Sequence, residues 1–585
     1  MPVSRVPKLK ISKKTAPPEW ALLELTLLKT QSDACREFFD RYFDGQGYLD
    51  CVPRWGGNDG PDDAAENFLN WTILHALGGP DDILDMYTTA WEGHLRQYTE
   101  AKTTSVPLAT DGMYYREFPV MFDWFHHGEW LSAFVLQGLS TPYDSNYIDR
   151  SRRYAGLYMN EDPLAPNYDP DKKIIKSMFN GSRGPLLRKA TALDWAGDPI
   201  ELEGRFKPGH GERTFQEMLA HFKDYQDVVG DHPLNLGATT LAFNAYALTG
   251  ESKYFDWLVE YVDAWVDRIN QNNGIIPTNI GLDGSIGGEC DGKWYGGTYG
   301  WSFTVEVPQT GEMAHRPSFS RGLFGFGNAL LLTGNQQYIS PWRNMLDQVN
   351  ANAIEKDGNK QYPHMYGDNG WYDFTDQRYS EGSHEIYYWS MDPKDMKLGP
   401  ENRWASFING QDPEYPVDAL RNDFNKLRST VQSISLDSAT PDTRMSDDLN
   451  LINPATTDTL TQLMLGGLPP GRQGSPLHCR VRYFDPENRR AGLPEGVAAL
   501  VERISADQTT LFLINTDQVK QRRLVIQGGA YGEHNILSVA ASADNEKLPV
   551  NQPSFTVSLA PGSGDRLVLE MDRYVNRPSF SFPWI

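Results

Sequence analysis

Four stretches of the chain repeat one pattern, and that repeat limits the fold more than any other feature. They read FLNWTILHALGGPDDILDMYTTAWEGHL, WLSAFVLQGLSTPYDSNYIDRSRRYAGL, LGATTLAFNAYALTGESKYFDWLVEYVDAWVDRI and GLFGFGNALLLTGNQQYISPWRNMLDQVNANAI. Each has an apolar helical run, a short polar break and a second helical run. Gly79, Gly250 and Gly334 sit where a helix C-terminus favours glycine. The first run of each pair is apolar on every side, as expected of a helix buried all round. The second is amphipathic. Inner helices ringed by outer helices make an N-terminal α/α toroid, a barrel of helical hairpins. DACREFFDRYF reads as a further outer helix, and TTDTLTQLMLGGL as a late inner one.

The links from an outer helix to the next inner helix are long and rich in Gly, Asn, Asp and aromatics. DGQGYLDCVPRWGGNDGPDD and KDGNKQYPHMYGDNGWYDF are two of them. Long loops on a rigid scaffold usually carry function. After about residue 475 the pattern changes to short β-rich runs such as TTLFLINT and DRLVLEM, which predict an antiparallel β-sandwich. The expected division is an N-terminal extension over 1–20, a toroid over 21–450 and a sandwich over 475–585. The closing RYVNRPSFSFPWI should dock on a surface, at a domain boundary or in a homodimer, since its rings would otherwise be exposed.

A net charge of −23 excludes a general affinity for nucleic acid, which needs Lys and Arg. There is no run of 18 apolar residues, so no membrane helix is expected. No secretory signal is visible in the sequence as it stands, and the expected location is cytoplasmic. The four cysteines, Cys35, Cys51, Cys290 and Cys479, form neither a CxxC pair nor a disulfide framework. The sequence calls for no cofactor and no metal.

In a toroid the N-terminal ends of the inner helices meet at one mouth. Titratable residues gather just ahead of those helices, in NDGPDDAAEN, YYREFPVMFDWFHHGEW, GDHPLNL and EMAHRPSFSRG. Asp62, Asp63, Glu129, His127 and Asp123 are the candidate catalytic residues. Asp62 or Asp63 could instead be a helix cap with Glu66 as its capping-box partner. Asp123 and His127, four apart, could share a face; with Glu129 they also permit a metal site, on a weak pattern. His126 and His127 cannot both face one way. Trp55, Tyr114, Arg116, His126, His232, Tyr299, Trp301, His315, Arg316 and Arg321 are candidate substrate contacts. Among them Trp55, Tyr299 and Trp301, with Trp124, would form walls on which sugar rings pack.

Two chemistries suit these residues. A glycoside hydrolase needs two carboxyl groups flanking the scissile bond, for which Asp63 and Glu129 are the first choice. A uronate lyase needs a His or Tyr base and cations for the carboxylate, a part His127, Tyr114, Arg116 and Arg316 could fill. A toroid followed by a β-sandwich resembles a recurrent architecture of carbohydrate-active enzymes. It occurs in glycoside hydrolases of uronic-acid sugars and in heparinase- or alginate-lyase-like lyases. The resemblance spans the whole chain as architecture, rests on no family motif, and implies a carbohydrate substrate. The first expectation is therefore a glycoside hydrolase of oligo- or polysaccharides. Arg54, Arg116, Arg316 and Arg321 make a uronic-acid substrate part of that expectation. A uronate lyase follows, then a sugar epimerase or isomerase, and then a non-catalytic carbohydrate-binding protein.

Overall fold

A computed structural model describes residues 7–53, 60–101, 114–119, 123–181, 184–188, 228–297, 300–301, 304–306, 313–315, 318–471, 473–542 and 547–584. The first helices are α1 (Glu19–Tyr42), α2 (Pro61–Glu66), α3 (Trp71–Leu77), α4 (Asp81–Glu100), α5 (Trp124–Val135) and α6 (Ser145–Gly156). They are followed by α7 (Thr239–Thr249), α8 (Ser252–Gln271), α9 (Leu323–Thr333), α10 (Ser340–Ala351) and α11 (Ser383–Ser390). The last are α12 (Arg403–Ile408), α13 (Tyr415–Leu436), α14 (Ser446–Asn450) and α15 (Asp458–Leu465).

The expected hairpins are α3–α4, α5–α6, α7–α8 and α9–α10. Every residue of α3, and of α9 from Leu323 to Leu332, is buried, whereas α4, α8 and α10 bury one face. Buried helices neighbour one another: α2 packs on α5, and α7 on α9. Small residues permit the approach. A Cβ on Gly327 of α9 would meet the Trp389 ring at 2.5 Å. Gly334 ends α9 with φ +72°, and a side chain there would run into the Tyr574 carbonyl, so two constraints select glycine.

The C-terminal region holds two five-stranded sheets. One orders Lys8–Ile11, Ser554–Leu559, Arg522–Gly528, Val481–Asp485 and Arg490–Ala491. The other orders Val497–Ile504, Gln508–Asn515, Gly564–Asp572, Asn535–Ala541 and Lys547–Gln552. Burial alternates along Ser554–Leu559, as it should on a strand with one covered face.

Two features differ from the sequence reading. The N-terminal segment is no free extension: Lys8–Ile11 pairs in parallel with Ser554–Leu559, Lys8 opposite Thr556. The first sheet is therefore mixed, not purely antiparallel. The Gly-rich link after α10 is largely a three-stranded antiparallel tongue, Ile354–Lys356, Asn359–Gly367 and Gly370–Thr375. The aromatic tail docks as the sequence reading expected, between helices and sheet of its own chain. Phe580 packs on Tyr531 at 5.1 Å and donates its N–H to the Ala247 carbonyl. Phe582 lies between Tyr143 and Phe484. The tail thus joins helices to sheet.

Candidate functional site

Helix α2 is short and wholly buried. Pro61 supplies its first residue with a preset φ. Asp63 caps it, accepting from the Gly60 N–H at 3.0 Å. Asn67 fastens its end, donating to the Asp63, Ala64 and Ser446 carbonyls. Capping does not exhaust these acids. Asp62, Asp63 and Glu129 each present a carboxylate oxygen, all within 4.8 Å of one another. Asp63, Glu66 and Asp447 form a second such set. Asp62 is 1% exposed, and its Oδ1 has no hydrogen-bond partner among the described residues.

Like charges so close, out of water, hold protons tightly. Burial pushes Asp62 up to about 7; Glu129 adds to the rise and His126 opposes it. Asp63 is raised well above the carboxylate range, by burial first and then by Asp62, Glu129, Asp447 and Glu66.

Helix α5 supplies the facing groups. Asp123 is its N-cap and accepts from the Phe125 and His126 N–H groups. The same oxygen meets His126 Nδ1 at 2.9 Å. Burial opposes charge on His126, but Asp123, Asp62 and Glu129 outweigh it and raise its pKa to about 10. His126 thus brings positive charge to the carboxyl cluster. The expected Asp123–His127 pairing is corrected here. Asp123 lies just outside the helix and folds over its first turn, which brings it to His126. His127 turns into the core, where its Nδ1 accepts from Trp130 Nε1 at 2.9 Å and Phe118 and Trp124 flank its ring.

The other candidates fall elsewhere. Tyr114 is buried, bonded to His94, and its phenol is pushed well up by burial. Arg116 tips a hairpin and pairs with Asp162 at 3.0 Å. His232 caps the turn Pro233–Ala238, accepting from the Leu234 N–H, and burial lowers it to about 3. Arg321 stacks on the Phe125 ring at 3.7 Å and donates to the Phe125 carbonyl. Trp301 and Trp124 are 0% and 2% exposed. Trp301 packs against Phe319, Trp371 and Tyr379, and Trp124 against His127 and Tyr158, so other rings of the protein take the places expected for a sugar. Trp55, Tyr299 and Arg316 lie outside the described residues. Of His315 only the backbone is described, in the strand Met313–His315.

Sequence reasoning missed α14. Asn450 Nδ2 donates to Glu66 Oε2 at 2.7 Å and also to Asp447. Asn453 ties the Glu66 and Leu69 carbonyls, and accepts from Trp71. The only warning in the sequence was SDDLN, acids next to an amide. Both acidic sets are all-carboxylate, a donor type that suits a hard cation such as Ca²⁺ better than zinc.

Solved structures similar to the chain include a glycoside hydrolase family 76 α-1,6-mannanase from Salegentibacter sp. HEL1_6. It was solved as an inactive variant with α-1,6-mannotriose, at 9% identity, 74% of this chain, 99% of that chain and a TM-score of 0.32. A D-mannose isomerase matches at 11%, 77%, 100% and 0.33. A family 76 mannosidase from Bacteroides thetaiotaomicron VPI-5482 matches at 8%, 75%, 99% and 0.31. Likenesses of that strength bear on neither fold nor function. Among curated proteins none matches in sequence. One family model, described as a domain of unknown function, DUF8034, covers residues 9–386. With well over half of its length so matched, the chain belongs to the DUF8034 family.

Proposed function

We propose that the protein is a retaining glycoside hydrolase acting on a neutral glycan, with Asp62 as acid and base and Glu129 as nucleophile. The observation that carries this reading is the Asp62–Asp63–Glu129 triad, whose oxygens lie within 4.8 Å of one another. An upper bound that short favours the close pair of retaining enzymes, whose carboxyl groups stand roughly 5–5.5 Å apart, over the roughly 6.5–9.5 Å that inverting ones leave for a water. Asp62, raised to about 7, can carry a proton at neutral pH and release it. Glu129 is only part-buried.

In the first step the Asp62 proton goes to the glycosidic oxygen as the C–O bond breaks. A Glu129 oxygen bonds to the anomeric carbon. In the second step Asp62 takes a proton from water, the water oxygen attacks the same carbon, and Glu129 leaves. Asp63 holds the turn at Gly60, and His126 offsets part of the negative charge.

The charge balance favours a neutral sugar over a uronate. Among the described residues six carboxyl groups, Asp62, Asp63, Glu66, Asp123, Glu129 and Asp447, gather around His126, and a further carboxylate would meet repulsion. The described arginines expected to bind a uronate are engaged, Arg116 by Asp162 and Arg321 by Phe125. Elimination fits less well, since Tyr114 would be a costly base with its pKa raised by burial. This reading goes with helical hairpins closed into an α/α toroid, α2 and α5 at its mouth, and with the two sheets packed as a sandwich.

The test is a panel of neutral and uronate-containing polysaccharides, followed by reducing sugar and by ultraviolet absorbance together. New reducing ends on neutral members without absorbance are expected. Rising absorbance on uronates would replace this reading with β-elimination.

A further inference from the structure

Away from the carboxyl cluster, the sequence His478-Cys479-Arg480-Val481-Arg482 enters the strand Val481–Asp485. Alternate residues of an extended chain share a face, so His478, Arg480 and Arg482 line one side. All three are buried, Arg480 to 1% exposure. That side faces the helices. Arg482 donates to the carbonyls of Leu139 and Ala530. The Arg480 guanidinium lies over the Tyr388 ring of α11 at 5.3 Å. His478 lies 5.3 Å from the ring of Trp389.

Buried cations are normally paired. Arg480 is not: its Nε and Nη2 are buried with no acceptor among the described residues, and so is His478 Nδ1. Neighbouring charges do not compensate. Burial and Arg573 both push Arg480 down, to about 10, while Tyr388, Tyr574 and Tyr387 oppose them. Arg573 is itself bonded to the Ala506, Trp389 and Ser390 carbonyls. The buried acid of the region, Glu533, accepts from the Ala530 and Tyr531 N–H groups.

The open edge of Arg480 has a defined preference. Nε and Nη2 form the edge with which Arg36 holds Asp82, Arg343 holds Asp395 and Arg566 holds Glu502. It is the fork that matches anions. We propose that Arg480, with His478 beside it, binds a small inorganic anion between the helices and the sheets. Packed rings surround the group, so the ligand that fits is compact. The anion would fasten the two regions together, independently of the carboxyl site.

The experiment is thermal unfolding of the full chain at constant ionic strength. Sodium gluconate is exchanged stepwise for chloride in one series and for phosphate in another. An anion bound to the folded state alone raises Tm with its concentration. For a chain of this length the expected rise is about 1 °C per tenfold increase above Kd. It is expected in at least one series, with the responding series naming the anion, and is expected to vanish in Arg480→Met. Flat curves in both series, or an unchanged slope in Arg480→Met, would overturn the proposal. If that variant does not fold, bromide-soaked crystals of the unaltered protein decide. An anomalous peak at the Nε–Nη2 edge supports the site, and water alone there removes it.

Discussion

Two buried carboxyl groups stand at comparable places, Asp231 before one buried helix and Asp62 at the start of another, and they are treated in opposite ways. Asp231 accepts from the Ile175 and His232 N–H groups, Asn235 and Tyr261, with Arg268 at 3.8 Å. Burial raises it only to about 6, because Arg268, Asn235, Tyr261 and the Ile175 N–H pull it down. Asp62 has one oxygen without a partner among the described residues and other acids beside it. A carboxylate with every lone pair bound holds the fold; acids pressed together hold protons. Perturbed groups of the second kind mark functional sites.

Replacement should separate the two. Asp62→Asn should lower turnover on a responsive glycan by about 10²–10⁴-fold, the range of general acid catalysis, with Tm unchanged or raised because a repulsion is relieved. Asp231→Ala should do the reverse. Stability should fall by ~3–5 kcal/mol, as when a buried ion pair is broken, while kcat per folded molecule, with the folded fraction from circular dichroism, stays near that of the unaltered protein.

The pH dependence sharpens the contrast. The folded-state pKa of Asp62, about 7, lies above its ordinary 3.8. Its stabilising contribution is therefore complete below about pH 4 and is lost as pH rises through 7. Activity that needs protonated Asp62 should fall over the same upper limb. Asp62→Asn should flatten that part of the Tm profile. His126 lowers the Asp62 pKa, so His126→Gln should move the alkaline limb of the rate profile upward. Its turnover should drop about tenfold, the equivalent of ~1.4 kcal/mol of transition-state stabilisation. Arg116→Ala should have the smallest effect. Its side chain is 55% exposed in its pair with Asp162, so the change should cost under ~1 kcal/mol and leave the rate profile as it was.

The hairpins were legible because periodicity and C-terminal glycines are local signals. Asp62, Asp63 and Glu129 were legible because they stand at or near helix starts. The rest depended on distant parts of the chain. Helix α14 is five residues long, too short for periodicity to single out Asp447 and Asn450. Lys8–Ile11 finds its partner more than 500 residues away. Trp301 and Trp124 show that an aromatic near a Gly-rich loop cannot be sorted into wall or core without its neighbours. The tongue could have been found: Asp357-Gly358, both at positive φ, is a two-residue hairpin turn between β-prone runs. So could the stripe His478, Arg480, Arg482, whose period of two is visible in HCRVR.

The most direct measurement is proton NMR of the sugar released in the first minutes of cleavage of a responsive neutral glycan. Glu129 as nucleophile, with Asp62 as acid and base, predicts a product that first appears with the anomeric configuration of the bond that was broken. First appearance of the opposite anomer would mean that water attacks directly, and would contradict Glu129 as the nucleophile.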